Sequence, residues 1–510
     1  MLYIWNGYRP DDDGSSNNCG RSFIFDLCAI KKSDLLRNTK MNDSYGNFDL
    51  AVIGAGSAGF SAAITAAEDG AQVALIGCGT IGGTCVNVGC VPSKAMIRAV
   101  ETLHSAKGAA RFDGVEATAQ VTDWAALVAQ KQALVDDLRA AKYVDVLPNY
   151  KGVNYIEGQA SFAKDGSLHV GDRTIRAPKI IIATGSSPHV PNIPGLSEID
   201  WLDSTSALKQ KQLPKSLMVM GGGYIGVELA QIFARAGVEV TIVTRSGLLP
   251  EAEPEVSEAL TKAFADEGIK VLDGLSYDKF EASDEGVTLL AAHNGVAIRI
   301  EAEKLLLATG RVPNTGSLAL DIAGIDTNAR GGIVIDAQMR STRDGVYATG
   351  DVTGMDQFVY MAAYGAKLAA KNAMNGNTLA YDNSVMPAVV FSDPQVASVG
   401  LTEAQAKSAG HEVVTSVLGL EHVPRALAAR DTRGLIKLIA DKQSKKLLGA
   451  HIIAPEGADS IQTAAMALKM GMTYDDLGAM IFPYLTTVEG LKLAAQTFEK
   501  DVSKLSCCAG

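Results

Sequence analysis

The first structured pattern in the chain is Phe48-Asp49-Leu50-Ala51-Val52-Ile53, an apolar run of strand length without the alternation of a half-exposed strand. It runs into Gly54-Ala55-Gly56-Ser57-Ala58-Gly59. A small-residue stretch then predicts a helix ending at Gly70, and Gln72 to Ile76 predicts the next strand. The whole pattern recurs as strand Ser216 to Met220, loop Gly221-Gly222-Gly223-Tyr224-Ile225-Gly226, a helix to Gly237 and strand Val238 to Val243. Each copy has a later echo, Ile180-Ile181-Ile182-Ala183-Thr184-Gly185 and Leu305-Leu306-Leu307-Ala308-Thr309-Gly310, where a buried-type strand ends in a Thr-Gly turn. A third such turn, Val346-Tyr347-Ala348-Thr349-Gly350-Asp351, adds an acid at its end. From Pro387 onward the pattern becomes mixed α+β with no phosphate loop. Residues 1–46, with the run Asp11-Asp12-Asp13-Gly14-Ser15-Ser16-Asn17-Asn18, show no period and predict a disordered extension.

Two strand–GxGxxG–helix–strand units predict an α/β protein with two Rossmann-like dinucleotide sites. The glycines let the backbone approach a pyrophosphate, and the helix N-terminus offers unpaired N–H groups and the positive end of a dipole. The length of 510 residues suggests roughly three or four domains. With 47% apolar and 20% charged residues, disorder as the main state is excluded. The net charge of −11 argues against nucleic acid or an anionic membrane surface as a partner. No run of 18 apolar residues predicts membrane insertion, and the expected location is cytoplasmic.

Four of the seven cysteines form two tight pairs, Cys85/Cys90 and Cys507/Cys508, which in a reducing compartment favours catalytic or metal roles. Cys19 and Cys28 are too far apart for a CxxC metal motif and read as incidental thiols. Adjacent cysteines have Cα atoms only about 3.8 Å apart, short for a disulfide. On a loose tail such a pair instead suits one soft metal ion or thiol exchange. Cys85 and Cys90 flank the start of a predicted helix, Ala95 to Ser105, whose N-terminus favours thiolate. Five residues turn roughly 140° on a regular helix, so pairing them needs the distortion that Gly89 and Pro92 permit; the other reading is a buried structural pair.

Gly83-Thr84-Cys85-Val86-Asn87-Val88-Gly89-Cys90-Val91-Pro92-Ser93-Lys94 and the ending Leu505-Ser506-Cys507-Cys508-Ala509-Gly510 resemble the redox motif and tail of the flavoprotein disulfide reductases, and among them the mercuric ion reductases, over residues 47–510. The resemblance implies an FAD-binding domain from 47–190 and 315–385, an NADPH-binding domain at 191–314 and a dimerisation domain at 386–510. FAD would lie on Gly54, Gly56, Ser57, Ala58, Gly59, Gly83, Thr84, Lys94, Thr184, Gly185 and Asp351. NADPH would lie on Gly221, Gly223, Tyr224, Ile225, Gly226, Glu228, Arg245 and Gly310. Electrons would run from nicotinamide through flavin to Cys85, the outer interchange thiol, and Cys90, the thiolate against the flavin. Lys94 and Glu228 match the family's ion pair beside the flavin, Asp351 the acid on its ribityl chain, and Tyr224 the ring over the nicotinamide pocket. Surface charge and domain packing are their bland readings.

Three departures from the wider family sharpen this. The acid that usually ends the second strand to grip a ribose is missing from Ile76-Gly77-Cys78-Gly79, which predicts weaker FAD binding. The second copy has Arg245 at that place, which suits a 2′-phosphate and so NADPH over NADH. Near the C-terminus, glutathione and lipoamide reductases place a histidine five residues before a glutamate; here Phe482-Pro483-Tyr484-Leu485-Thr486-Thr487-Val488-Glu489 has tyrosine at that place. A disulfide reductase needs that acid–base, whereas reduction of a thiolate-held metal ion does not. The expected activity is reduction of Hg(II), delivered as thiol complexes, with Cys507 and Cys508 capturing it and passing it to Cys85 and Cys90. The resemblance implies a homodimer whose sites are shared, with Tyr484 and the tail of one subunit completing the other's site. A thioredoxin-reductase-like enzyme and a metal-sequestering scaffold are the alternatives. Residues 1–46 lack the GMTCxxC loop of a metal-trafficking domain, so delivery by a tethered domain is not expected.

Overall fold

The computed structural model describes residues 48–283 and 286–502; the expected disorder of 1–46 and the Cys507/Cys508 tail fall outside the described residues. Strands β1 (Leu50–Ile53), β2 (Val73–Gly77) and β3 (Val153–Glu157) join Lys179–Ile182 and Val346–Ala348 in one parallel sheet. Its order is Val346–Ala348, Lys179–Ile182, β1, β2, β3. The chain therefore leaves β1 to one side and returns to its other side. That reversal opens a crevice at the carboxyl end of β1, the usual ligand position in such sheets.

Helix α1 (Ser57–Glu68) follows the first glycine loop and packs on Val359–Asn375. Ala62, Ala63 and Ala66 face Ala366, Ala369 and Ala370 in one core, and these small side chains let the two helices approach closely. After β2 come α2 (Gly83–Asn87) and α3 (Cys90–Lys107).

The second parallel sheet has the order Lys270–Leu272, Glu239–Val243, Ser216–Met220, Lys304–Leu307, Trp201–Leu202. Its glycine loop leads into α4 (Tyr224–Arg235). Both echoes sit where the duplication predicts: Ile181 pairs with Val52, and Leu306 with Val219. Met96 and Val100 of α3 share a core with Val227, Ala230 and Phe233 of α4, which fixes the redox helix against the second domain. A third, antiparallel sheet runs Ala388–Val390, Gln395–Gly400, Leu447–Ala454, Leu435–Asp441, Val413–Gly419, with helices Gly457–Lys469 and Glu489–Gln496 in its core. This is the expected mixed α+β segment.

Some expected boundaries move. β1 begins at Leu50 rather than Phe48, because Asp49 closes onto Gln72 through both its N–H and its carboxylate. The helix expected at Ala95 begins at Cys90. Pro92 falls in its first turn, where a missing N–H leaves no hydrogen bond unmade. Tyr224 is the first residue of α4 rather than a loop residue.

Candidate functional site

The two glycine loops are built alike. Gly54 and Gly221 have φ of +120° and +118°, and a Cβ on either would fall 2.1 Å and 2.3 Å from the carbonyl oxygens of Ala183 and Ala308. These are the alanines of the echoed strands, so the echo seals each loop from behind. On Gly59 and Gly226 a Cβ would fall 1.7 Å and 2.1 Å from the carbonyls of Gly54 and Gly221, so each helix sits directly on its own loop. Both α1 and α4 start without a side-chain cap or a first-turn acid. By contrast, the helices at Trp124, Glu403 and Tyr474 start under Asp123, Thr402 and Thr473. Two uncapped, glycine-lined N-termini fit two dinucleotide pyrophosphates.

The first loop is also tied to the thiols. Gly82 donates to the Ala55 carbonyl at 2.8 Å, Gly56 bridges Gly82, and a Cβ on Gly83 would come 2.6 Å from the Gly56 Cα. Cys85 lies in α2 and Cys90 opens α3, with the break at Val88-Gly89 supplying the distortion that the five-residue spacing requires. Asn87 pins α2 by donating to Ile81 O and Gly83 O, and Arg139 holds the Asn87 amide oxygen at 3.1 Å. The two thiols are half-buried and touch. The hydrogen bond from Cys85 draws the Cys90 thiol down to about 7; burial opposes this, and the nearby Lys94 ammonium assists it. The same bond keeps the proton on Cys85, whose pKa is raised. One sulfur is thus poised as thiolate and the other as its donor.

Lys94, one turn beyond Cys90, meets Glu228 of α4 at 2.7 and 2.9 Å. Glu228 is buried and also accepts the Phe391 N–H at 3.0 Å, so this ion pair joins all three sheets' domains. Asp351 accepts the Ser186 hydroxyl at 2.6 Å, and Arg311 donates to that hydroxyl at 2.7 Å. Thr184 accepts the Asn314 side-chain amide on its carbonyl, and Gly185 and Gly310 have φ of +71° and +110°. Tyr224 is 41% exposed and leans on Phe358, which stacks on Tyr360. Arg245 is exposed, its guanidinium 5.1 Å over the Tyr277 ring.

Tyr484 is 55% exposed on a loop of the third domain. Glu489 is buried and turned to that same loop, accepting the Leu485 N–H at 3.2 Å. The structure therefore assembles Cys85, Cys90, Lys94 and Glu228 with both glycine loops, and sets Tyr484 exposed on a separate loop that the buried Glu489 anchors.

Residues 48–375 match the pyridine nucleotide-disulphide oxidoreductase family and residues 386–495 its dimerisation domain. The chain belongs to that family. Its relatives include a mercuric reductase of Bacillus cereus, 48% identical over 94% of this chain and 75% of that protein. Another is the mercuric reductase of Lysinibacillus sphaericus, 46% identical over 91% of this chain and 85% of that protein. Among solved structures, the Cu(II) complex of the HOCl-induced flavoprotein disulfide reductase RclA from Escherichia coli matches at TM-score 0.78 and 30% identity, over 89% of this chain and 100% of that one. Family membership makes the two dinucleotides a flavin and a pyridine nucleotide, and gives the third domain its role in dimerisation. Among the described residues no helix is long and apolar enough to cross a membrane.

Sequence reasoning missed several members of this oxidoreductase site. Arg311 is half-buried, which lowers its pKa, and the charges of Asp351, Asp203 and Cys90 act back on it. Tyr143 reaches the first loop, its hydroxyl 3.0 Å from Ser57 and its ring edge-on to Phe60. Arg311 directly follows the second Thr-Gly turn, a positional signal available in the sequence. Tyr143 gave no signal, since 86 residues separate it from Ser57.

Proposed function

We propose that this chain is a mercuric reductase that uses FAD and takes its electrons from NADPH. The observation that carries this reading is the touching Cys85/Cys90 pair beside Lys94, held on the first glycine loop, in a chain with Tyr484 where disulfide-cleaving relatives keep a histidine. Hg(II) prefers two soft sulfur ligands. Cys507 and Cys508 capture the ion from small thiols, and ligand exchange passes it one sulfur at a time to Cys85 and Cys90, so no free ion is released. Lys94 offsets the negative charge of the paired sulfurs, and Glu228 holds Lys94 in place. Tyr484 of the partner subunit closes the site over the ion. Arg245 selects the 2′-phosphate of NADPH. When bound, FAD supplies the two electrons that take Hg(II) to Hg(0), replenished as hydride from NADPH.

The test is NADPH oxidation by purified, yellow protein in excess thiol, with Hg(II), Cu(II) and a small disulfide compared. The Cu(II) arm is included because the solved RclA relative is a Cu(II) complex. Hg(II) is expected to give the fastest turnover. Faster reduction of the disulfide would favour a thioredoxin-reductase-like enzyme. Colourless protein that binds Hg(II) without oxidising NADPH would favour sequestration. The Cys507→Ala/Cys508→Ala variant is expected to keep flavin and its reduction by NADPH but to handle thiol-bound Hg(II) poorly.

A further inference from the structure

Where the flavin-side βαβ unit should carry an acid, β2 ends at Gly77, and the structure shows why no side chain fits there. A Cβ on Gly77 would come 2.7 Å from the Ala55 Cβ, 2.8 Å from the Tyr155 hydroxyl and 2.9 Å from the Tyr155 ring. The phenol of Tyr155 occupies the space that an acid on β2 would need. Tyr155 lies on β3, which pairs in parallel with β2 in the register Leu75↔Tyr155 and Gly77↔Glu157. Partners in a parallel ladder point to the same face, as do residues two apart on one strand. Gly77, Tyr155 and Glu157 therefore share one face at the carboxyl edge of the sheet, where ligands of such sheets bind.

Glu157 is placed to act there. It is exposed, and the pairing that fixes it continues beyond it, with Gly158 donating to the Gly77 carbonyl at 2.8 Å. Its carboxylate lies close enough to Tyr155 to reinforce the rise in that phenol's pKa, which burial causes first. The strands stand about 4.8 Å apart, a gap that the two methylenes of a glutamate can reach back across.

We propose that Glu157, with the Tyr155 hydroxyl beside it, grips the adenosine ribose diol of FAD in place of the carboxylate missing from β2. The contact moves one strand outward, and its floor becomes an aromatic ring over a glycine. This rests on FAD, rather than another flavin, being the cofactor. It replaces the expectation of weaker FAD binding with one of ordinary affinity carried by a different residue.

The full chain, stripped of flavin, can be titrated with FAD and with an analogue whose adenosine ribose lacks both hydroxyls, following the quenching of flavin fluorescence. Wild-type protein is expected to prefer FAD by about tenfold, as a charge-assisted hydrogen bond allows. Glu157→Gln should lose about tenfold in FAD affinity and keep its affinity for the analogue, so that the preference collapses. Tyr155→Phe, which preserves the ring, should lose about threefold. A Glu157→Gln protein that keeps the full wild-type preference would overturn the assignment. Wild-type protein that binds no FAD at all would end the FAD reading and this contact together.

Discussion

The two βαβ units begin from the same backbone solution and part company just after their second strands. In the flavin-side unit Gly82 N–H reaches the Ala55 carbonyl at 2.8 Å; in the other, Leu249 N–H reaches the Gly222 carbonyl at 2.8 Å. The same bond locks the same loop. Beyond it, the first unit launches α2 and α3 with Cys85 and Cys90, while the second runs through Pro250 to a helix, Pro254–Asp266, that carries no thiol. The divergence on the helix side is just as local: the first unit continues from its glycines into apolar α1, while the second places Tyr224 and Glu228 on α4. The duplicated scaffold holds the nucleotides, and the chemistry comes from what each copy adds within a few residues of the shared lock. The Lys94–Glu228 pair joins the two additions, one residue from each copy.

Breaking the thiol addition should have the largest effect. Cys85→Ser or Cys90→Ser is expected to cut Hg(II) turnover on the order of 10³-fold or more, with flavin content unchanged; steady-state assays and the visible spectrum check both halves. Next are the loops themselves. Gly221→Ala should abolish NADPH binding while sparing flavin, and Gly54→Ala the reverse, because each Cβ meets a carbonyl at 2.3 or 2.1 Å in a backbone conformation that costs roughly 1–3 kcal/mol for a non-glycine residue. Nucleotide titration of the two variants separates the copies cleanly if the scaffold reading is right.

The junction between the copies gives a smaller, pH-dependent effect. Lys94→Met removes a cation that lowers the Cys90 pKa, so that pKa should rise above about 7. Thiolate is then scarcer at neutral pH, and alkylation of Cys90 in the reduced protein should slow. Raising the pH by about one to two units should restore it. A pH profile unchanged from wild type would detach Lys94 from the thiols. The smallest effect belongs to the end of the second strand of the second copy: Arg245→Gln should lower kcat/KM for NADPH about tenfold while leaving NADH nearly unchanged. Equal losses with both nucleotides would deny Arg245 a part in selecting the phosphate.

The parts of this comparison that are local in sequence were legible in advance. The strand Ser216–Met220 has the expected limits, and both glycine loops, both echoes and the break between Cys85 and Cys90 follow from the pattern of small and apolar residues. The start of α3 at Cys90 was not, because Pro92 reads as a breaker until it is seen to occupy a first turn. What depends on contacts between distant segments was hidden. Ser186, Arg311 and Asp351 lie up to 165 residues apart along the chain and form one hydrogen-bonded relay. The ring of Tyr155 over Gly77 likewise joins two strands separated by 75 residues or more, and no period or motif announces it. Tyr484 and Glu489 were legible as a motif, but not their different settings: Tyr484 stands exposed on its loop, while Glu489 is buried at the start of a helix and holds that loop through the Leu485 N–H.

The central claim is that electrons taken from NADPH leave on a metal ion held by sulfur. Cold-vapour detection of mercury, run alongside NADPH absorbance in excess thiol, tests it most directly. One atom of elemental mercury released per NADPH oxidised is the predicted result, and NADPH consumption with no mercury vapour would contradict it.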